Sequence, residues 1–504
     1  MEISVIDILV IVVYLIIVAL IGSLSGGRQK STADYFMGGK NVPWWAVSFS
    51  IVAAETSSLT FISIPGLAYI TNLHFLQLTM GYLIARILVA VFFLPSYRKG
   101  ELATAYTFLE DRFGKETRRY ASSVFLFTRI AADGVRLFST AIPLALIFKT
   151  SAFFEPWSNF QIYVLSIVII TTVSLIYTYT GGVKGVIWAD VLQMVIYIGG
   201  ALLAFFILMD KMPAGFSLAS LGKKTEVFNL DFGQSISDFF GKPYTLIASL
   251  IGGTFLSMAS HGTDQLIVQR LLTTKNLRDS QKAVIGSGVM VVFQFALFLV
   301  VGLLLYVFFK GVVPGSEGVP FHKADEIFPY FILHYLPVGV KGFIIAGLFA
   351  AAMSTLAGSI SSLSSSAMLD LYKPLRGNRD DARQDLKISR LFTIGFAFVL
   401  TIVAFFFIQV QQSVVEIALG IASITYGGLL GTFLLGRFFK AVQQPAAMAG
   451  FTSGILIMLL IILVPKIAGI PAIMHWTWFV VTGAVVCILV GNLWQRFVAE
   501  NKNG

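Results

Sequence analysis

Apolar residues run along this chain in long unbroken windows and do not alternate. Windows of the roughly 20 residues needed to cross a bilayer fall at 5–25, 44–69, 75–96, 120–147, 160–178, 186–209, 244–260, 283–309, 339–368, 388–408, 414–435, 445–465 and 474–494. The pattern predicts an all-α integral membrane protein of thirteen transmembrane helices, with its termini on opposite sides. Transmembrane β-strands alternate apolar and polar residues, so this pattern excludes a β-barrel. No basic segment precedes the first window and no clear cleavage site follows it. It therefore reads as a spanning helix and not as a signal peptide. Two loops, 210–243 and 310–338, are long, and no soluble domain of any size is expected.

Polar groups inside these windows carry the information, because each is costly in hydrocarbon. The second window contains Ala53-Ala54-Glu55-Thr56-Ser57-Ser58-Leu59-Thr60, with Pro65-Gly66 close behind. That is a poor stretch of spanning helix. Unwound backbone is tolerated at this depth only where it lines a cavity or is buried in protein, and its carbonyls can coordinate a cation. The ninth window reads Ala350-Ala351-Ala352-Met353-Ser354-Thr355, followed by a run of serines. Small residues allow close helix contact, but two adjacent hydroxyls also suit a hard cation of low charge. The seventh begins with Gly252-Gly253 and ends in Ser260-His261-Gly262-Thr263-Asp264-Gln265. Two interrupted helices five elements apart point to an inverted-repeat transporter with its site at the midplane. His261 reads as a helix-end histidine, since no second histidine stands at metal-ligand spacing. In the fourth window Arg129, Asp133 and Arg136 share one helical face. They form either a self-neutralising structural cluster or, with one positive charge left over, a seat for an anion.

Composition and charge narrow the function classes. Of 504 residues, 57% are hydrophobic and 12% charged, about half the charged share of an average soluble chain. The single cysteine, Cys487, excludes an intrachain disulfide or a thiolate metal site. The net charge of +10 invites a nucleic-acid partner, but 24 of the 36 Lys and Arg lie in the segments of one side, 9 in those of the other and 3 within helices. These are topology signals: the N-terminus is expected outside and the C-terminus in the cytoplasm. No nucleophile–base pair or metal constellation is visible, so no catalytic residue is assigned and an enzyme is not expected. A sensor would need a soluble signalling domain, and few residues follow the last window.

Several motifs give the chain a family resemblance: Asp34-Tyr35-Phe36 with Gly38-Gly39-Lys40 and Pro43-Trp44-Trp45; Gly181-Gly182 with Val186-Ile187-Trp188-Ala189-Asp190-Val191-Leu192-Gln193; Val268-Gln269-Arg270; and Met353-Ser354-Thr355-Leu356. In these the chain resembles the sodium/solute symporters, which include sodium-coupled carriers of glucose, proline, monocarboxylates, iodide and sialic acid. The resemblance implies the leucine-transporter fold. Residues 1–43 would be an extra helix and loop, 44–210 and 211–437 two inverted five-helix repeats, and 438–504 two further helices with a short tail. It also implies a sodium site at Ala53, Thr56, Ala351, Ser354 and Thr355. Glu55 would be ionised near the ion. Asp190 would order the exit path or belong to a second sodium site; the serines of such a site are Ala357 and Gly358 here, so one sodium per cycle is expected.

Solute contacts are expected from Ser57, Ser58, Thr60, Phe75, Thr79, Ser257 and the group Arg129, Asp133 and Arg136. The carboxylate-binding arginine of sialate carriers aligns with Ala132, one turn from Arg136. The implied activity is sodium-coupled import of a small organic anion, a monocarboxylate or sugar acid, by a monomer in the cytoplasmic (inner) membrane. Its partners would be the solute, sodium and the lipid bilayer, without nucleic acid. A neutral or zwitterionic solute is the alternative.

Overall fold

A computed structural model describes residues 3–99, 103–149, 152–377, 381–408 and 414–503. Among them every regular element is helical, and the one β-type pairing is an isolated parallel bridge between Val42 and Thr274. The principal helices are α1 (Val5–Ser25), α2 (Trp44–Glu55), α3 (Ser58–Ile70), α4 (Leu76–Arg98), α5 (Lys115–Lys149), α6 (Asn159–Asp210), α7 (Gly253–Gly262), α8 (Gln265–Leu272), α9 (Leu277–Phe308), α10 (Ala324–Tyr335), α11 (Val340–Ser366), α12 (Ala382–Phe406), α13 (Val414–Phe438), α14 (Gln444–Ala468) and α15 (Phe479–Asn503).

Nine of the described helices are long and apolar enough to span a membrane alone, or ten if the bent pair α2 and α3 is one span. The thirteen windows are therefore not matched one to one, for physical reasons. α6 is a single helix of 52 residues, about 78 Å at 1.5 Å per residue, more than twice the hydrocarbon thickness of about 30 Å. It carries two predicted windows across one bend. At that bend Gly182 has φ 58° and ψ −161°, and a Cβ would lie 2.6 Å from the Tyr35 carbonyl oxygen. α5 has its apolar character interrupted by Arg129, Asp133 and Arg136, and α7 has only ten residues.

Both predicted interruptions are present. α2 ends at Glu55, Thr56 turns extended (φ −81°, ψ 107°), and α3 restarts with Ser57 as N-cap, its Oγ accepting from the Thr60 amide at 3.3 Å. The two halves bend by 65°. The last carbonyls of a helix have no intrahelical donor, so the break frees acceptor oxygens inside the protein. The second break separates α7 from α8: Thr263 leaves helical geometry and Asp264 caps α8, accepting from the Leu266 amide at 2.9 Å.

Packing follows side-chain size. α11 is the central helix, with 94% of its apolar window buried against 28% for α1, α12 and α14. Its Ala, Gly and Ser residues let neighbours approach. α1 docks on α6 where Gly22 and Gly26 meet Gly181 and Gly185 backbone to backbone, the close approach that small residues permit in membranes. At the other end of α1, Asp7 Oδ1 accepts from the amides of Gly339 and Gly342, both at 2.8 Å.

Candidate functional site

The break after α2 lies against the middle of α11. Thr355 Oγ1 lies 3.3 Å from the carbonyl oxygens of both Ala54 and Ala351. Ser354 Oγ donates to Asp190 Oδ1 at 2.6 Å. A hydroxyl that gives its proton to a carboxylate turns its lone pairs away from it, free to face a cation. Thr56 is held from the other side: its Oγ1 accepts from Gln294 Nε2 at 2.7 Å, and Gln294 Oε1 accepts from Tyr197 at 3.1 Å. Ala53, Thr56, Ala351, Ser354 and Thr355 are all buried. The expected donor set thus falls on two adjoining elements, and it is chemically uniform: neutral carbonyl and hydroxyl oxygens. That suits a small hard monovalent cation. Among the described residues no group of three or more His, Cys, Asp or Glu could hold a metal ion.

Asp190 stands behind this set. Its Oδ2 accepts from Ser50 Oγ at 2.5 Å and from Arg270 Nη2 at 3.0 Å, while Arg270 Nε donates to Ser50 Oγ at 2.8 Å. Arg270 and Ser50 were missed as partners by the sequence reading. Val268-Gln269-Arg270 stood out as a motif, but nothing in its spacing points to a residue 80 positions away.

The charged group on α5 is larger than its helix suggests. Arg129 donates to Asp264 Oδ2 from Nη2 at 2.6 Å and from Nε at 3.1 Å, and Tyr426 joins the same oxygen at 2.7 Å. Asp133 lies 3.4 Å from Arg129, accepts from Arg136 Nη1 at 3.2 Å and takes a 2.6 Å bond from Ser359. Asp264 offsets the positive charge that the sequence count left over, so the cluster is neutral as a whole. Its members differ in access. The Arg129 side chain is 7% exposed and that of Arg136 is 27% exposed. Arg136 lines a cavity with Ser57, Asp133, Thr140, Ala352 and Thr355. The cavity is shut down to about 10 Å³ of water-accessible volume, room for about one water, so an organic solute enters only when its walls part.

The other expected contacts do not line this cavity. Thr60 binds back to Ser57. Ser58 is buried. Phe75 stacks on Phe295 with centroids 5.3 Å apart. Thr79 donates to the Leu76 carbonyl at 2.7 Å, and Ser257 Oγ lies 3.3 Å from His261 Nδ1. Glu55, expected to be ionised near the ion, forms an ion pair with the fully buried Arg86, and His261 Nε2 lies 3.7 Å from the same carboxylate oxygen.

Comparison with known proteins gives a consistent set of likenesses. The sequence profile of the sodium:solute symporter family matches residues 35–454. The sodium/sialic acid symporter SiaT of Proteus mirabilis (strain HI4320) is 28% identical, over 97% of this chain and 94% of that protein. The sodium/sialic acid symporter NanT of Aliivibrio fischeri (strain ATCC 700601 / ES114) is 27% identical, over 97% and 93%. A sodium/glucose cotransporter of Vibrio parahaemolyticus is 26% identical, over 90% and 84%. Among solved structures, a Na+-coupled sialic acid symporter in a substrate-bound outward-open state superposes with a TM-score of 0.84 at 27% identity, covering 98% of both chains.

Proposed function

This chain belongs to the sodium:solute symporter family, multi-pass membrane proteins that couple solute transport to sodium and are not enzymes, and from that premise we propose that it imports a small organic anion. Ala53, Thr56 and Ala351 would give sodium their carbonyls, and Ser354 and Thr355 their hydroxyls. Sodium then ties the broken end of α2 to α11, and its departure loosens that tie so that the path to the other side opens. Coupling requires only that sodium bind more tightly to the state that also binds solute.

The observation that carries this reading is the double position of Thr355. Its hydroxyl donates to the Ala54 carbonyl at the break, and the residue lines the cavity that holds Arg136 and Ser57. As a proposed sodium ligand on the cavity wall, this one side chain would couple ion and solute. Arg136 is the group suited to a carboxylate, and a bidentate guanidinium–carboxylate pair is a strong recognition element. The sialic acid symporters among the relatives support a sugar acid or related carboxylate as the solute class. Asp133 beside Arg136 favours a second reading, a zwitterionic solute that meets both charges.

Residues 44–210 and 211–437 are read as the two inverted repeats. The protein would act as a monomer in the inner membrane with the N-terminus outside and the C-terminus in the cytoplasm. A thermal-unfolding screen of the purified protein tests the function: carboxylates, amino acids and sugars, each with sodium or with choline. A ligand that binds the native state raises the midpoint. A carboxylate whose shift requires sodium is the expected result. A shift that is equal in choline overturns sodium coupling, and one confined to uncharged sugars overturns the anion assignment.

A further inference from the structure

A second cavity, sharing no lining residue with the first, lies where the segment leading into α2 meets the turn between α8 and α9. It is open to water and holds about 280 Å³. Three of its lining residues are Lys40, Arg98 and Lys275, joined by Asn276. The joint that carries them is fixed. Gly38, Gly39 and Lys40 all have left-handed φ values, of 58°, 68° and 54°. A lysine keeps that conformation only where its surroundings impose it. Here the Val42 amide donates to the Thr273 carbonyl at 3.1 Å, and Val42 pairs with Thr274. Arg98 stitches the same turn to the end of α4, donating to the carbonyls of Leu271 (3.1 Å) and Thr274 (2.9 Å) and to Ser280 Oγ (2.7 Å).

Among the described residues the charges lining this cleft do not balance. Neither Lys40 nor Lys275 has an acidic partner within 4 Å among the described residues. The acid that acts on Arg98 is Asp279, whose carboxylate accepts from Asn276 Nδ2 at 3.0 Å as part of the α9 cap. Among the described residues three cations thus face one concave, solvent-open space against one committed carboxylate. The N-terminus of α9, a helix of 32 residues, adds further positive potential there. Just beyond Lys40, Trp44 and Trp45 are 38% and 40% exposed, and exposed tryptophans of a spanning helix mark the headgroup level of the bilayer.

We propose that this cleft binds a phosphate group, through Lys40, Lys275 and the remaining donor capacity of Arg98. On the face that the basic-residue count assigns to the cytoplasm, two sources exist: the headgroup of an anionic phospholipid and a free phosphate. Either would neutralise the cations and brace the joint between α2, α4 and α9, which makes binding visible as stabilisation.

The test uses the full-length protein in phosphatidylcholine vesicles, with its unfolding midpoint followed by tryptophan fluorescence. One arm replaces half of the lipid with phosphatidylglycerol, and the other adds inorganic phosphate. A midpoint rise of about 3 °C is expected in at least one arm, as for a ligand at roughly a hundred times its Kd. It should disappear in Lys40→Gln/Lys275→Gln and shrink in about 0.5 M choline chloride. A rise with lipid alone assigns the headgroup, and a rise with inorganic phosphate as well assigns a general phosphate site. The exposed-loop variant Lys275→Gln reads the same effect if the double variant does not fold, with about half of the rise expected to remain. No rise in either arm overturns the proposal. So does an equal rise in the double variant, or an equal loss in a control pair of exposed lysines, Lys115→Gln/Lys387→Gln, which would trace the effect to diffuse surface charge.

Discussion

At the scale of single residues, the proposed ion site separates groups that would touch sodium from groups that orient them. Ser354→Ala or Thr355→Ala deletes a hydroxyl ligand and should weaken apparent sodium affinity at least ~10-fold in uptake assays, by analogy with lost cation ligation. Unchanged sodium dependence in both variants would remove the site from these residues. Asp190→Asn is the more informative change. It leaves all five proposed ligands in place but removes the charge that draws the Ser354 proton and leaves Arg270 without its counter-ion. A loss of ~10-fold in sodium affinity is expected, as for an orienting residue behind a metal ligand, together with a lower thermal midpoint. Arg136→Ala should abolish uptake of a carboxylate while the sodium-induced stabilisation persists; normal uptake kinetics would make the arginine structural. Ser354, Thr355 and Arg136 stand out in the sequence because polar residues in apolar windows are conspicuous, and Asp190 because of the family motif around it. Their partners do not. Helical spacing reveals Arg129 and Asp133 on one face, but Asp264 reaches Arg129 across 135 positions and Arg270 reaches Asp190 across 80, and only the folded chain joins them.

At the scale of elements, the break between α2 and α3 carries an ion pair beside the proposed ion ligands. Glu55, the last residue of α2, is pinned to Arg86 on α4, and the Arg86 side chain is completely buried. Removing one member of a fully buried pair costs about 3 kcal/mol or more; Glu55 keeps 21% exposure, so the loss here is smaller. Arg86→Met should therefore lower the unfolding midpoint clearly. Glu55→Gln, which can still accept from the guanidinium, should be milder. Equal midpoints for Arg86→Met and the wild type would show that the pair is solvated and unimportant. The acid at the break is legible in the sequence, but its partner Arg86 is not, because the motif position says nothing about which way the side chain turns. Element boundaries were likewise legible only in part. The interruptions at 56–57 and 263–264 are written in polar residues and glycine, whereas the continuity of α6 through Gly182 depends on a tertiary contact with Tyr35.

At the scale of the whole molecule, the number of sodium ions and the charge of the solute together decide what the gradient can do. Both oxygens of Asp190 are occupied, Oδ1 by Ser354 and Oδ2 by Ser50 and Arg270. Position 358 is glycine, and a Cβ there would lie 2.5 Å from the Arg270 guanidinium. The Arg270–Asp190 pair and a serine at 358 thus compete for one space, which argues for a single sodium. If one sodium travels with one monoanion, the cycle moves no net charge. Accumulation is then bounded by the sodium concentration ratio alone and does not respond to voltage. A neutral or zwitterionic solute would make the same cycle electrogenic and gain about 2.3 kcal/mol per 100 mV, close to a 50-fold rise in accumulation. In proteoliposomes with an imposed potassium diffusion potential, uptake of the carboxylate found by the screen should yield one sodium per solute and a steady-state level independent of the potential. Two sodium ions per solute, with uptake that climbs as the interior is made negative, would mean that Asp190 releases Arg270 during the cycle and takes an ion in its place.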